Sequence, residues 1–347
     1  MQLKKVILLC TLILIFSCGC GKFDEKRALK EFKDNVTSSK SYLLTGTMEI
    51  RSDEDTFTYS LEAGFKKDDM YKVTLVNQTN NHEQVILKNS QGVYVVTPSL
   101  NKSFKFQSEW PDNSSQAYLL KSLLKDLESE ETLEMEEKDG NYILKANVNY
   151  PNNPDLVYEK IYFSKDMTPE KVEVYNEEDI LKIKVSFTKV NYKANLDDEY
   201  FSLEELVDEN CCKEENQDAE KNSEENSSET TNSTLKDIVY PLYIPTNTYL
   251  NNKETIDTDN GERFILTFAG DKNFILVEER ALIRPTFEVI PVYGEPQMVN
   301  DSIAALGANS LSWTANNVDY YLASNDLSQS ELLAIAKSLG NTLTVGK

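Results

Sequence analysis

The chain has 347 residues and a formal charge of −22, from 36 Lys+Arg against 58 Asp+Glu. That length suits two ordinary domains of roughly 100–200 residues, and that charge repels polyanions, which excludes nucleic acid as a partner. With 40% hydrophobic residues, 18 Tyr and 14 Phe the chain can build real cores, while one His and five Cys leave little for a metal site or an imidazole-based centre.

Met1 to Gly21 reads MQLKKVILLCTLILIFSCGCG. Lys4 and Lys5 precede an apolar run from Val6 to Phe16, too short to cross a bilayer. Ile15-Phe16-Ser17-Cys18 follows and resembles the lipobox of bacterial lipoproteins. The resemblance implies cleavage after residue 17 and diacylation of Cys18, with Cys20 as the alternative position. An ordinary secretory signal and an uncleaved anchor are the competing readings. A lipidated Cys18 places the chain on the outer face of the cell membrane, held by about 0.8 kcal/mol per buried methylene.

Asp24 to Ser39 places Ala28, Leu29, Phe32 and Val36 at helical spacing. The period then becomes two. Tyr42, Leu44, Gly46, Met48 and Ile50 alternate with polar positions. So do Phe57, Tyr59, Leu61, Ala63 and Phe65. Strands are predicted at Met70–Val76, Gln84–Lys88 and Gly92–Thr97, then a helix over Gln116–Leu127 with a leucine stripe. Further strands are predicted at Leu133–Glu137, Tyr142–Asn149, Val157–Phe163, Lys171–Tyr175 and Ile180–Val190. Asp139-Gly140-Asn141 is a tight hairpin signal between the first two. A sheet of eight to eleven strands must curl. The expected fold is α+β: a curved antiparallel half-barrel over residues 18–203, with two helices on its concave side.

Residues 204–237 hold 12 acids and 3 Lys and almost no aliphatics after Val207, so they read as a solvated acidic linker. Cys211 and Cys212 lie within it, adjacent and poorly placed to bridge each other. Residues 238–347 read as a small α+β domain. Its strands are predicted at Glu262–Phe268, Asn273–Glu279, Thr286–Ile290, Ser310–Thr314 and Val318–Ala323. Ser328-Gln-Ser-Glu331 is a capping box that opens a helix with Leu332, Leu333, Ile335, Ala336 and Leu339 on one face. Gly340 stops it.

Little chemistry is visible. His82 lies in an Asn-rich turn, with no partner His for a zinc helix and no Ser-His-Asp set. No phosphate loop, nucleophile elbow or dinucleotide fingerprint occurs. Asp257-Thr-Asp259-Asn-Gly261 reads as a hairpin turn rather than a calcium loop. No catalytic residue, metal or cofactor is expected. The candidate site is apolar: Phe57, Tyr59, Leu61, Phe65, Tyr71 and Val73 are the residues to line a concave cavity, with plain core packing as the alternative.

The order of helix, Tyr42-Leu-Leu-Thr-Gly-Thr-Met48, paired long strands, central helix and closing strands resembles the LolA/LolB/RseB-like superfamily. Pro241-Leu-Tyr-Ile-Pro245, Gly307…Leu311-Ser-Trp313 and the stretch from Tyr320 to Leu333 resemble a domain of unknown function found beside such modules. The whole is similar to the YdcC-type sporulation lipoproteins and, more distantly, to the GerS-type germination lipoproteins. The resemblance implies a Gram-positive host and a non-enzymatic module in envelope, sporulation or germination processes. It also implies an envelope or cell-wall protein as partner, or an acyl chain as ligand.

Overall fold

The structure is a computed structural model that describes residues 23–52, 55–206, 238–258, 261–284 and 286–339. Helix α1 (Glu25–Ser38) opens the described chain. Its first turn is capped by Asp24, whose carboxylate accepts from the Arg27 N–H at 2.9 Å. Its buried stripe is Ala28, Phe32 and Val36, the spacing read from the sequence.

Eleven antiparallel strands follow. They are β1 (Ser41–Arg51), β2 (Thr56–Lys66), β3 (Met70–Asn77), β4 (Glu83–Asn89), β5 (Gly92–Thr97), β6 (Lys102–Phe106), β7 (Glu134–Lys138), β8 (Asn141–Asn147), β9 (Leu156–Phe163), β10 (Pro169–Asn176) and β11 (Leu181–Asn191). Helix α2 (Leu120–Ser129) interrupts them and buries Leu120, Leu123, Leu124 and Leu127. It begins later than Gln116, because the residues before it form a turn.

The second part contains β12 (Thr248–Thr258), β13 (Gly261–Gly270), β14 (Phe274–Arg280), β15 (Glu288–Val292), β16 (Gly294–Val299), β17 (Ser302–Gly307), β18 (Ser310–Ala315), β19 (Val318–Ala323) and helix α3 (Gln329–Lys337). Both halves of the capping box at Ser328 and Glu331 are formed.

The strands make two sheets. The first has the order β15-β6-β5-β4-β3-β2-β1-β11-β10-β9-β8-β7, an open curved sheet with unlike ends. The second has the order β12-β13-β14-β19-β18-β17-β16. The fold is therefore α+β, with few helices on much sheet. Strand β6 was not predicted from the sequence, nor were β12, β16 and β17. Strand β15 was expected among the strands of the second part, yet it pairs in parallel with β6. Periodicity marks a strand but does not choose its partner, and β6 offers a bare edge.

The first core lies under α1 and α2. Cross-strand rows such as Leu44, Ala63 and Val73 keep its inward face continuous over β1, β2 and β3. Gly46 sits where the β1–β11 register shifts, and a Cβ there would stand 2.2 Å from the Ser186 carbonyl oxygen. Close backbone approach explains the Gly in the Tyr42–Met48 string.

Strands β4 and β5 are buried on both faces. On the back, Val85, Leu87, Tyr94 and Val96 pack against Phe201 and Leu206. The start of the expected linker thus lies on the sheet, and residues 207–237 fall outside the described residues.

Strand β17 joins the two cores, which is why all six of its residues are buried. Ile303 and Ala305 belong to the first core, while Ala304 and Leu306 belong to the second. Polar ties hold the joint. The Ile303 N–H donates to Gln84 Oε1 at 2.6 Å, and Gln84 Nε2 donates to the Ile303 carbonyl at 3.3 Å. Lys102 Nζ lies 2.9 Å from Asp319 Oδ1, with both side chains nearly buried.

The second core holds a charged oddity. Glu278 is fully buried, and the Val239 N–H donates to its Oε2 at 3.0 Å, while Oε1 has no partner. Burial pushes this carboxyl up to about 7, and the Val239 bond pulls the other way. The folded state therefore holds the proton more tightly than the unfolded chain does. The resulting stability is full below pH about 4.5 and is lost as pH rises through 7. Glu278→Gln keeps the acceptor and removes the titration. It is expected to match the parent near pH 4 and exceed it by about 2–3 kcal/mol at pH 8. Urea unfolding across that range checks this, and parallel pH profiles would refute it.

Candidate functional site

A cavity of about 510 Å³ opens between the two sheets. Three sets of elements build it. The first sheet supplies Ile50 and Phe57 from β1 and β2 and Leu75 and Ile86 from β3 and β4. The second part supplies Met298, Ile303 and Leu333. The loops before α2 and after β8 supply Tyr118 and Tyr150. The volume is typical of a small-molecule site, and the lining combines apolar side chains with a few polar and charged ones.

The charged lining residues are Arg51, Lys182, Lys337 and Asp155. Arg51 ends β1, and its Nη2 holds Glu49 at 2.8 Å while its Nε has no hydrogen-bond partner. Lys182 lies near the start of β11. Lys337 ends α3, lines the cavity and is exposed to solvent. Burial lowers its pKa from the ordinary 10.5, Asp155 raises it, and the charge of Lys182 lowers it further. Leu333 and Lys337 are one turn apart on α3, which puts an apolar and a cationic group on the same side.

Two acids lie behind the tyrosine wall. Glu159 is fully buried and neither carboxylate oxygen has a partner. Burial pushes its pKa well above the usual range, and the charge of Asp126 adds to the rise. Burial also lifts Asp126 to about 6, against the pull of a Ser115 hydrogen bond. Burial without a hydrogen-bond partner favours the protonated form of Glu159, because an unpaired charge there would be costly.

Of the six apolar candidates from the sequence, Phe57 lines the cavity and is half-buried. Tyr59, Leu61, Phe65, Tyr71 and Val73 share its face of the sheet but are packed into the core with at most 3% exposure. The Tyr59 hydroxyl donates to the Asn300 carbonyl at 3.4 Å, so it belongs to the joint. The basic groups and the second part's share of the lining were missed. They come from strand ends, loops and a distant stretch of chain. The Leu333/Lys337 spacing was the one local signal for them.

His82 is half-buried in its turn, and burial lowers its pKa. It is not among the residues lining the cavity. Thr258 pairs with Gly261 where β12 meets β13, and Asp259 and Asn260 lie outside the described residues. Among the described residues no group of three or more His, Cys, Asp or Glu is placed to hold a metal ion, and no helix is long and apolar enough to cross a membrane. Cys18, Cys20, Cys211 and Cys212 lie outside the described residues.

The second sheet has a further exposed surface. Helix α3 covers its inner face. On the outer face, Ala305 packs on the first core, but Tyr321, Val277 and Ile265 lie further along the rows that β17 begins. Ile275, Tyr321 and Ile256 are 38%, 43% and 41% exposed. The patch is flanked by the Arg263–Glu279 ion pair at 2.6 Å.

Residues 3–201 match the family model described as "Sporulation protein YdcC-like". The chain is 33% identical over 343 residues to "Sporulation protein YdcC" of Bacillus subtilis, covering 97% of each. Among solved structures it is similar to the MucA/MucB complex of Pseudomonas aeruginosa, at 12% identity and a TM-score of 0.33 over 90% of this chain and 97% of that one. It is also similar to the CwlD amidase of Clostridioides difficile in complex with the GerS lipoprotein. There the identity is 17% and the TM-score 0.29, over 49% of this chain and 97% of that one.

Proposed function

The chain belongs to the YdcC-like family of sporulation proteins, and from that membership we propose that it is a lipid-anchored, non-enzymatic binding module on the outer face of the cell membrane that holds a protein partner during sporulation. Cys18 carries the lipid in this reading, with Cys20 as the alternative, and the acidic stretch 204–237, beyond its packed start at Leu206, tethers the two domains, 18–203 and 238–347. The observation that carries partner binding is the open outer face of the second sheet. Ile275 and Tyr321 are exposed on adjacent strands of that face, and exposed apolar side chains grouped this way mark an interaction site.

The test is co-isolation from sporulating cells. The tagged parent is expected to retain an envelope protein, and Ile275→Glu with Tyr321→Glu is expected to lose it. If neither sporulating nor vegetative cells yield an envelope partner, and deletion leaves sporulation and germination normal, the proposal fails.

A second reading is favoured by the cavity. A cavity of this size with apolar side chains in its lining suits an acyl chain, so the module is alternatively a carrier of lipid or lipoprotein chains. Native mass spectrometry of the purified chain would show a bound acyl species, and a consistently empty cavity would remove this reading.

A further inference from the structure

Each sheet ends in two edge strands, and three of the four resist pairing with another chain. β15 carries Pro291 and β16 carries Pro296, and a proline removes a ladder donor from an edge. β7 is five residues long and holds Glu134, Glu136 and Glu137, so it repels a copy of itself. β12 differs. It runs eleven residues from Thr248 to Thr258 without a proline and lies outermost in the second sheet. Its side chains from Tyr249 to Asp257 are all exposed, including those beside the buried Phe264 and Leu266 of β13. Among the described residues its one ladder partner is β13. A long open edge of this kind is a template for a further strand.

The charges on β12 select that strand. Asp257 lies opposite Glu262 in the β12–β13 register, and like charges directly opposite destabilise a pair. Lys253 lies on the same face of β12, exposed and with no ion-pair partner among the described residues. When β12 is laid antiparallel on itself about a two-fold axis through Thr255, Lys253 of each copy faces Asp257 of the other. The two ion pairs answer the Asp257–Glu262 repulsion, and Thr255 faces Thr255, a favourable cross-strand pair. An axis through Glu254 would face glutamate with glutamate, and one through Lys253 lysine with lysine. On the other face, the Ile256 side chains of the two copies come diagonally across the seam, within reach of each other.

We infer that β12 is a homodimerisation edge, on which a second copy of this chain pairs antiparallel about Thr255 and extends the second sheet across both copies. The axis stands normal to the sheet, so the two open outer faces, each with Ile275 and Tyr321, lie on the same side. The inference goes beyond the partner reading of that face and does not depend on it.

The test uses the full chain with all five cysteines replaced by serine. A single-strand seam is small, so sedimentation velocity from about 1 to 100 μM is expected to show a reversible dimer with a Kd of roughly 10 μM. Lys253→Asp and Asp257→Lys each set two like-charge contacts across the seam and are expected to weaken the dimer about tenfold or more. Lys253→Asp with Asp257→Lys restores complementarity and should recover the parent affinity, which separates lost pairing from lost fold. A single returned cysteine tests the axis. Thr255→Cys is expected to give a disulfide-linked dimer on mild oxidation, and Lys253→Cys, whose twin lies far along the seam, is not. A monomer at every concentration overturns the inference. So does a dimer that all the charge variants leave unchanged, or one that Lys253→Cys links as readily as Thr255→Cys. No other protein is present in this experiment, so its failure leaves the partner reading standing, and failed co-isolation leaves the dimer standing.

Discussion

Phe65→Ala is expected to destabilise the protein by about 3–5 kcal/mol, the range for emptying a phenylalanine site in a packed core. Phe65 is 1% exposed. Its ring stacks on Tyr42 at 4.7 Å and meets Tyr71 at 5.1 Å, and Tyr71 in turn meets Trp110 at 5.9 Å. Lys121 Nζ lies 4.3 Å from the ring centroid, so α2 is tied to β2 through the same side chain. Removing the ring leaves a void bounded by other aromatics and a helix, which close over it poorly. The contrast is Phe57→Ala. Phe57 is half-buried on the cavity wall, and its truncation enlarges an existing space, so about 1 kcal/mol is expected. Denaturant unfolding of both variants measures the difference. Equal losses would contradict the division of this face into core and cavity.

The second large effect is at the joint. Asp319→Leu is expected to cost about 3–5 kcal/mol, because it leaves Lys102 charged, unpaired and nearly buried. Asp319 also accepts from the Thr314 hydroxyl, and Arg284 Nη2 lies 3.8 Å away. Lys102→Met alone is expected to cost less, since those two groups still face the carboxylate. The double variant Lys102→Met with Asp319→Leu should recover most of the loss, because apolar groups of similar size fill the same space without stranding a charge. A double variant as unstable as Asp319→Leu would mean that the pair does more than neutralise itself.

How far the sequence speaks depends on the element. The alternation of β2 and the leucine stripe of α2 are visible because one face is buried and the other is not. The Ser328 capping box is visible because local hydrogen bonds need those residues at that spacing. Strand β17 reads Ser-Ile-Ala-Ala-Leu-Gly and shows no alternation, because both its faces are buried, one in each core. Strand β15 has strand character, but nothing in it names β6 as neighbour. The cavity is hardest of all. Phe57 and Phe65 sit on one strand with the same parity, and only tertiary packing makes one a wall and the other core. The cations of the lining meet from β1, β11 and α3, which no local pattern connects.

A photo-crosslinking residue at Ile275, on the open face of the second sheet, tests the binding module most directly. In sporulating cells it is expected to trap one discrete envelope protein. The same probe at Lys30, exposed on α1, should trap nothing. Crosslinks absent from Ile275, or the same from both positions, would contradict the account.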